Sequence, residues 1–387
     1  MTGPLIDRVR ERLAAESVPI RPATVAAAIR AESGGVLGDS EVLSTLRFLE
    51  TELSGVGILE PLIALEGTTD VLVTAPDAVW VDDGNGLYRS DIRFRDESSV
   101  RRLAQRLAAG AGRRLDDAQP WVDAQLTGVG TGRVTVRVHA VLPPIAAGGT
   151  YLSLRVLRPA TQDLTSLIAS GAIAGDAATL LNGIIGARLA FLVSGGTGAG
   201  KTTLLAALLG TVAPNERILC VEDAPELTPQ HPHLVRLLAR GANIEGVGEI
   251  TLRDLVRQAL RMRPDRIVVG EVRGAEVVDL LAALNTGHDG GAGTVHANCP
   301  GEIPARLEAL GALGGLDRAA LHSQLGAAIQ VVVHVGRGRS GRRLEQIALL
   351  GSGGSGLVRA VPAWDADRGP GPGLRRLWEL IDERAGR

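Results

Sequence analysis

The chain opens with apolar residues at helical spacing. L-I-D-R-V-R-E-R-L from Leu5, A-T-V-A-A-A-I-R after Pro22 and V-L-S-T-L-R-F-L-E-T-E-L ending at Leu53 repeat Leu, Val or Ile every three or four residues, which gathers them on one helical face. Residues 1–55 are therefore expected to form a short helical region. From Thr69 the pattern shortens to alternation, in D-V-L-V-T-A and A-V-W-V-D-D, and the D-G-N-G that follows is a hairpin signal. A helix is expected over 100–109, and then the strand pattern returns in R-V-T-V-R-V-H-A-V-L and T-Y-L-S-L-R-V-L. Residues 56–158 thus predict an α+β domain, and 159–175, containing P-A-T-Q-D-L-T-S-L-I-A-S-G, a connection to the next unit.

From 176 onwards the rhythm becomes strand, loop, helix. L-A-F-L-V-S, R-I-L-C-V-E-D and R-I-V-V-G-E are short, wholly apolar strands, and between them lie the helical T-T-L-L-A-A-L-L-G and T-L-R-D-L-V-R-Q-A-L-R-M. Apolar strands alternating with helices predict a mainly parallel sheet covered on both faces, an α/β domain running to residue 387. Its last part is expected to hold helices over 305–310 and 318–329 and strands at V-V-V-H-V, E-Q-I-A-L-L and L-V-R-A-V. G-P-G-P-G then breaks the chain before a terminal helix, L-R-R-L-W-E-L-I-D-E-R.

Composition narrows the possible functions. With 387 residues and 45% hydrophobic content, two or three domains with at least one large core are expected. The net charge of −2 supplies no global field that would draw the chain onto nucleic acid, and 2% aromatic content leaves few platforms for stacking bases. Cys220 and Cys299 are the only cysteines, too few for a four-cysteine zinc site or a disulfide framework, so a reducing cytoplasm is the default expectation. No apolar run approaches the ~20 residues that span a bilayer, and the N-terminus lacks the plan of a signal peptide.

One stretch carries specific chemistry. S-G-G-T-G-A-G-K-T-T, Ser194 to Thr203, contains the only lysine in a chain with 40 arginines. Gly195 and Gly200 with Lys201 and Thr202 form G-x-x-x-x-G-K-T, preceded by an apolar strand and followed by a helix, which is the context a P-loop requires. The backbone N–H groups of Gly195, Gly196, Thr197, Gly198, Ala199, Gly200, Lys201, Thr202 and Thr203 would cradle the phosphates of ATP at a helix N-terminus. Lys201 would reach the β- and γ-phosphates, and the Thr202 hydroxyl would ligate Mg²⁺. A composition that replaces lysine by arginine everywhere else stops where a compact ammonium is needed, because the planar guanidinium fork is too wide for the curled loop.

Hydrolysis also needs carboxylates near the metal or the attacking water. Two segments place acids just beyond strand ends, where ligands bind in open α/β sheets. V-E-D-A-P-E-L offers Glu222, Asp223 and Glu226, and R-P-D-R-I-V-V-G-E-V-R-G offers Glu271.

Together G-G-T-G-A-G-K-T-T, V-E-D-A-P-E-L, L-R-M-R-P-D-R-I-V-V-G-E-V-R-G and T-G-H-D-G-G-A-G-T-V-H-A-N resemble, in order, the motifs of the secretion-ATPase superfamily of type II and type IV secretion systems. Within it the sequence is most similar to the ATPases of Tad and Flp pilus assembly. The resemblance implies a RecA-like P-loop domain preceded by a PAS-like α+β domain. It implies Glu226 as the residue that positions and deprotonates the attacking water, with Glu222 and Asp223 supporting Mg²⁺, and Glu271 as the acid of an atypical Walker B motif that also holds the metal. Which of Glu226 and Glu271 is the stronger base stays open. His288 and His296 match the family's His box and would sense the γ-phosphate. Arg133, Arg137 and Arg155 lie in segments from which the family sends arginines to the phosphates, Arg137 being favoured, with Arg240 and Arg273 as further candidates.

The expected function is an ATP-hydrolysing motor. The resemblance implies a homo-hexamer at the inner face of the cytoplasmic membrane, working on an inner-membrane platform protein that assembles pilin. An engine for conjugal DNA transfer or type IV protein secretion is the alternative within the superfamily. A helicase or recombinase is disfavoured by charge and aromatic content, and direct contact with nucleic acid is not expected. A guanine-nucleotide switch would need a second lysine for its N-K-x-D motif, and a non-catalytic scaffold would have no use for Glu226 and Glu271.

Overall fold

The computed structural model describes residues 55–385 except 85, 131–133, 159, 244, 339–340 and 354–355, together with residues 22–34 and a few positions among 5–12 and 38–45. Pro22–Glu32 is a helix, α1, and Val25, Ala28 and Ile29 on it are buried with Val9 and Val42. Much of the other two helical runs expected before Leu53 lies outside the described residues.

The chain divides into two compact units, Met1–Arg158 and Pro159–Arg387. The first is built on an antiparallel sheet. Its strands are β1 (Asp70–Ala75), β2 (Ala78–Asp82), β3 (Leu87–Arg89), β4 (Trp121–Val129), β5 (Val134–Val141) and β6 (Tyr151–Leu157), in the order β3-β2-β1-β6-β5-β4. The alternation read in the sequence has its physical cause here. Val71, Val73, Val79, Val81, Val136, Val138, Leu152 and Leu154 all point to one face, and that face is covered by α2 (Glu60–Ala64) and α3 (Glu97–Gly110). α3 starts three residues earlier than its apolar spacing suggests, because the Asp96 carboxylate accepts the Ser99 amide at 2.8 Å and caps the first turn.

The second unit is a nine-stranded sheet whose central part is parallel. β7 (Phe191–Gly195), β8 (Ile218–Glu222), β9 (Leu234–Leu238), β10 (Arg266–Val269), β11 (Ala292–His296) and β12 (Val331–Gly338) form the parallel block β12-β7-β11-β10-β8-β9. β13 (Gly341–Ser352), β14 (Val358–Asp365) and β15 (Gly369–Pro370) extend it antiparallel beyond β12. β7 is buried on both faces, which is why it reads as an unbroken apolar run. Phe191 and Val193 face one core with α5 (Gly175–Gly186), α6 (Lys201–Leu209) and α11 (Leu374–Ala385). Leu192 faces the other, with α7 (Leu252–Ala259), α8 (Glu276–Leu284), α9 (Ile303–Leu313) and α10 (Arg318–Ala328). This two-sided parallel sheet is the covered α/β sheet that the strand-helix rhythm predicts, and it has the RecA-like architecture that the resemblance implies.

Residues 159–175 do not behave as a plain connection. They carry a short helix, α4 (Leu164–Ala169), capped by Asp163, and its Leu164 and Leu167, with the following Ile173, are buried in the first of these two cores. Of the G-A-G at 291–293, Ala292 and Gly293 open β11. Gly293 lies within β11, where an added Cβ would sit 3.1 Å from the Val269 carbonyl oxygen, so the residue lets β10 and β11 pair closely.

Candidate active site

The parallel strands end at one edge, and the loops there carry the lysine, most of the acids and one of the histidines. β7 ends at Gly195, and the chain turns through 196–200 into α6. Two glycines make this turn possible. A Cβ on Gly195 would lie 2.4 Å from the carbonyl oxygen of Val335 on neighbouring β12. Gly200, with φ of 95°, occupies left-handed backbone that L side chains adopt only with strain. Gly195→Ala is therefore expected to push the loop off β12 and weaken nucleotide binding by at least about tenfold, equivalent to about 1.4 kcal/mol, in a titration with a fluorescent ATP analogue.

α6 begins at Lys201, which is only 8% exposed. Its ammonium curls back over the loop, donating to the carbonyl oxygens of Gly195 at 3.0 Å and Gly196 at 2.8 Å, and lies 3.3 Å from His296 Nδ1. His296 ends β11, and its Nε2 is 3.0 Å from Glu271 Oε1, just past β10. With Nδ1 facing an ammonium, the imidazole proton belongs on Nε2, where it is donated to the carboxylate. Burial holds the ammonium below the ordinary lysine range, while Glu271 and Glu226 pull it back up. Burial, and then the Lys201 charge, holds the imidazole below the ordinary histidine range, while Glu271 opposes them.

On the other side of the loop, Thr202 Oγ1 is 3.4 Å from Glu226 Oε2. These donors are oxygens, the ligand type Mg²⁺ requires, and an ion that keeps several waters and binds substrate phosphates needs only one or two from the protein. The residues present thus fit Mg²⁺ at Thr202. Asp223 is paired with Arg273, whose guanidinium also lies 4.0 Å from Glu271. Burial raises the Asp223 carboxyl, and the Arg273 charge opposes it. Beside the loop, a cavity of about 230 Å³ is lined by Gln162, Ser170, Thr203, Leu204 and Arg342.

Three residues named from the sequence stand elsewhere. Glu222 does not present a free oxygen to the loop. It is 2% exposed, its Oε1 accepts the amides of Glu226 at 3.0 Å and Leu227 at 2.7 Å, and its Oε2 lies 3.3 Å from Arg236 Nε. Both oxygens of the expected metal ligand thus have partners within this turn and on β9. His288 is at the opposite edge of the sheet. β11 pairs with β7 from Ala292↔Phe191 to His296↔Gly195, so a residue preceding Ala292 lies at the amino end, away from the loop. There His288 Nδ1 bonds the Ala283 carbonyl at 3.1 Å and closes the C-terminal turn of α8, so the structure does not bring it together with Lys201. Arg240 is held at a loop, with Nε on the Gly248 carbonyl at 3.1 Å and its backbone bridged to Ile250.

In the first unit, Arg137 forms a two-point pair with Asp123, at 3.0 and 2.5 Å, and Arg155 Nε lies 3.0 Å from Asp70 Oδ1. Both are engaged within their own sheet. Arg133 lies outside the described residues. Arg236 has no signal in the sequence, being one arginine among 40. Only the parallel register Cys220↔Arg236 sets it beside Glu222.

Residues 52–338 match the type II/IV secretion system protein family, and these residues include every motif at this edge. The chain belongs to that family. As a secretion ATPase it has relatives of several kinds. A Mycobacterium tuberculosis protein whose name assigns it provisionally to conjugal transfer is 72% identical over 351 residues, 90% of this chain and 99% of that protein. The conjugal transfer protein TrbB of Rhizobium radiobacter is 31% identical over 235 residues, 60% of this chain and 68% of its own. Among solved structures, the pilus retraction motor PilT with bound ADP superposes with a TM-score of 0.52 at 21% identity, covering 86% of this chain and 87% of its own. That likeness is one of fold. Among the described residues no helix is long and apolar enough to cross a membrane.

Proposed function

We propose that this secretion-family ATPase is a Mg²⁺-dependent ATP-hydrolysing motor that assembles as a homo-hexamer and drives a Tad/Flp-type pilus machine through an inner-membrane platform protein. The observation that carries the enzymatic part is the convergence of Lys201, Thr202, Glu226, Glu271 and His296 at the carboxyl edge of one parallel sheet. In this reading the loop amides and Lys201 hold the β- and γ-phosphates. On ATP binding the ammonium leaves the Gly195 and Gly196 carbonyls for phosphate oxygens, exchanging neutral acceptors for charged ones. Mg²⁺, when bound at Thr202, supplies charge neutralisation across the phosphates. Glu226 orients and deprotonates the attacking water. Glu271 is kept in place by His296, which links it to Lys201, so loss of the γ-phosphate is felt at once by the lysine, the histidine and the acid. The cavity beside Gly200 and Thr203 accepts the sugar and base.

A second reading, an engine for conjugal DNA transfer, is favoured by the names of the relatives rather than by anything in the site. Deleting the gene in its host separates the two. Loss of surface pilin, restored by the wild-type gene and not by a Lys201→Ala copy, is the expected result. Intact pili with loss of DNA transfer to recipient cells would replace pilus assembly by conjugation.

A further inference from the structure

Glu222 is the largest departure from what the sequence suggests, and its surroundings say what it does instead. It is the last residue of β8, and its side chain lies between the two flanking strands. On one side is Arg236 of β9, and on the other is Gly270, just past β10, where an added Cβ would come within 2.8 Å of Glu222 Cγ. The carboxylate is laid back under the turn 222–226. Its Oε1 takes the amides of Glu226 and Leu227 together, so that one oxygen fixes the backbone of the residue that faces Thr202.

The pair with Arg236 is poorly built for stability. Arg236 Nη2 is buried with no hydrogen-bond partner, and Nε reaches Oε2 only at 3.3 Å. Burial raises the Glu222 carboxyl, the Leu227 amide and Arg236 only partly offsetting it. Buried ion pairs with incomplete hydrogen bonding rarely improve on an apolar pair of the same volume. What this one supplies is direction: Arg236 occupies one carboxylate oxygen, so the other is turned to the two amides.

We infer that Glu222, anchored by Arg236, is a positioning residue that sets the turn carrying Glu226 against Thr202. This rests on the reading of Glu226 as the base. A misplacement of about 1 Å at a reacting group costs on the order of 10²-fold in rate.

The test is steady-state ATP hydrolysis by the full chain, with ATP and Mg²⁺ varied separately. Glu222→Ala is expected to lower kcat by about 10²-fold while KM for ATP and the Mg²⁺ concentration for half-maximal rate stay within about threefold, the pattern of an interaction lost only in the transition state. Glu222→Gln keeps an oxygen acceptor for the two amides and is expected to recover most of that loss. Adding Glu222→Ala to Glu226→Gln should cost nothing further, because a positioning residue has nothing left to position. If the alanine variant does not fold, Arg236→Met, of similar length, is expected to lower kcat in the same direction with KM unchanged. Normal kcat in Glu222→Ala beside an inactive Glu226→Gln overturns the positioning role alone. A raised Mg²⁺ requirement in both Glu222 variants overturns it in favour of metal ligation. Normal turnover in Glu226→Gln overturns the base reading itself.

Discussion

Replacing Lys201 with alanine is expected to lower ATP turnover by at least about 10²–10³-fold, the loss typical of removing one preorganised group that stabilises developing charge. The fold should survive. Among the described residues the ammonium bonds two backbone carbonyls of its own loop and one imidazole, and burial holds it below the ordinary lysine range. Removing it leaves no buried carboxylate unpaired, since Glu271 keeps His296. The thermal unfolding midpoint should therefore stay near that of the wild type while phosphate release falls to background. Lys201→Arg should fail almost as completely. The guanidinium would have to fit where Nζ sits between two carbonyls about 3 Å away and the His296 ring, space shaped for a point charge. Full activity in either variant would remove the P-loop from the catalytic site.

The second large effect belongs to Glu226. Glu226→Gln keeps the size and hydrogen-bonding reach of the side chain but removes its capacity to take a proton. General base catalysis contributes about 10²–10⁴-fold, and a loss of that order in kcat is expected. ATP affinity should be unchanged or higher, because a negative charge beside the γ-phosphate is gone. The variant should therefore retain unhydrolysed ATP through gel filtration, where the wild type carries ADP. Glu271→Gln is expected to behave differently. It keeps an oxygen acceptor for His296 but removes the larger of the two carboxylate charges that act on Lys201, so nucleotide affinity should fall together with rate. If Glu271→Gln alone traps ATP while Glu226→Gln hydrolyses it, the roles of the two acids are exchanged.

How much of this was legible beforehand differs between elements for physical reasons. β7 and the loop that follows it were readable in full, because a P-loop is a local object. Its glycines, lysine and threonine are consecutive, and their chemistry does not depend on what packs around them. β8 and β10 were readable because a parallel sheet buried on both faces leaves no polar position in β8 before Glu222, and none in β10 after Arg266, whereas β9 and β11 were not read as strands. The expectation of a plain connection over 159–175 missed α4. Six residues with a single capping aspartate are too short to show a helical period, and the buried Leu164 and Leu167 find their partners only in the assembled second unit.

The acids and histidines show where local pattern stops. V-E-D-A-P-E-L places three carboxylates within five residues, and nothing in the spacing tells them apart. Glu222 turns inward because Arg236 of the adjacent strand and the bare backbone at Gly270 make room and charge for it. Glu226 is left facing Thr202. Of the two histidines of T-G-H-D-G-G-A-G-T-V-H, His288 precedes β11 and His296 is its last residue. A strand advances about 3.3 Å per residue, so the length of β11 carries them to opposite edges of the sheet.

By itself the sequence determined that a P-loop pattern stands between an apolar strand and a helix, and that the one lysine of the chain lies in it. Each of those follows from neighbouring residues whose backbone geometry is set within one turn. Only the tertiary structure decided which carboxylate meets Thr202, which histidine meets Lys201 and which arginine pairs with Glu222. Those are contacts between segments brought together by the strand order of the sheet and lying more than ten residues apart in the chain, and their selection depends on register and burial, which no single stretch encodes.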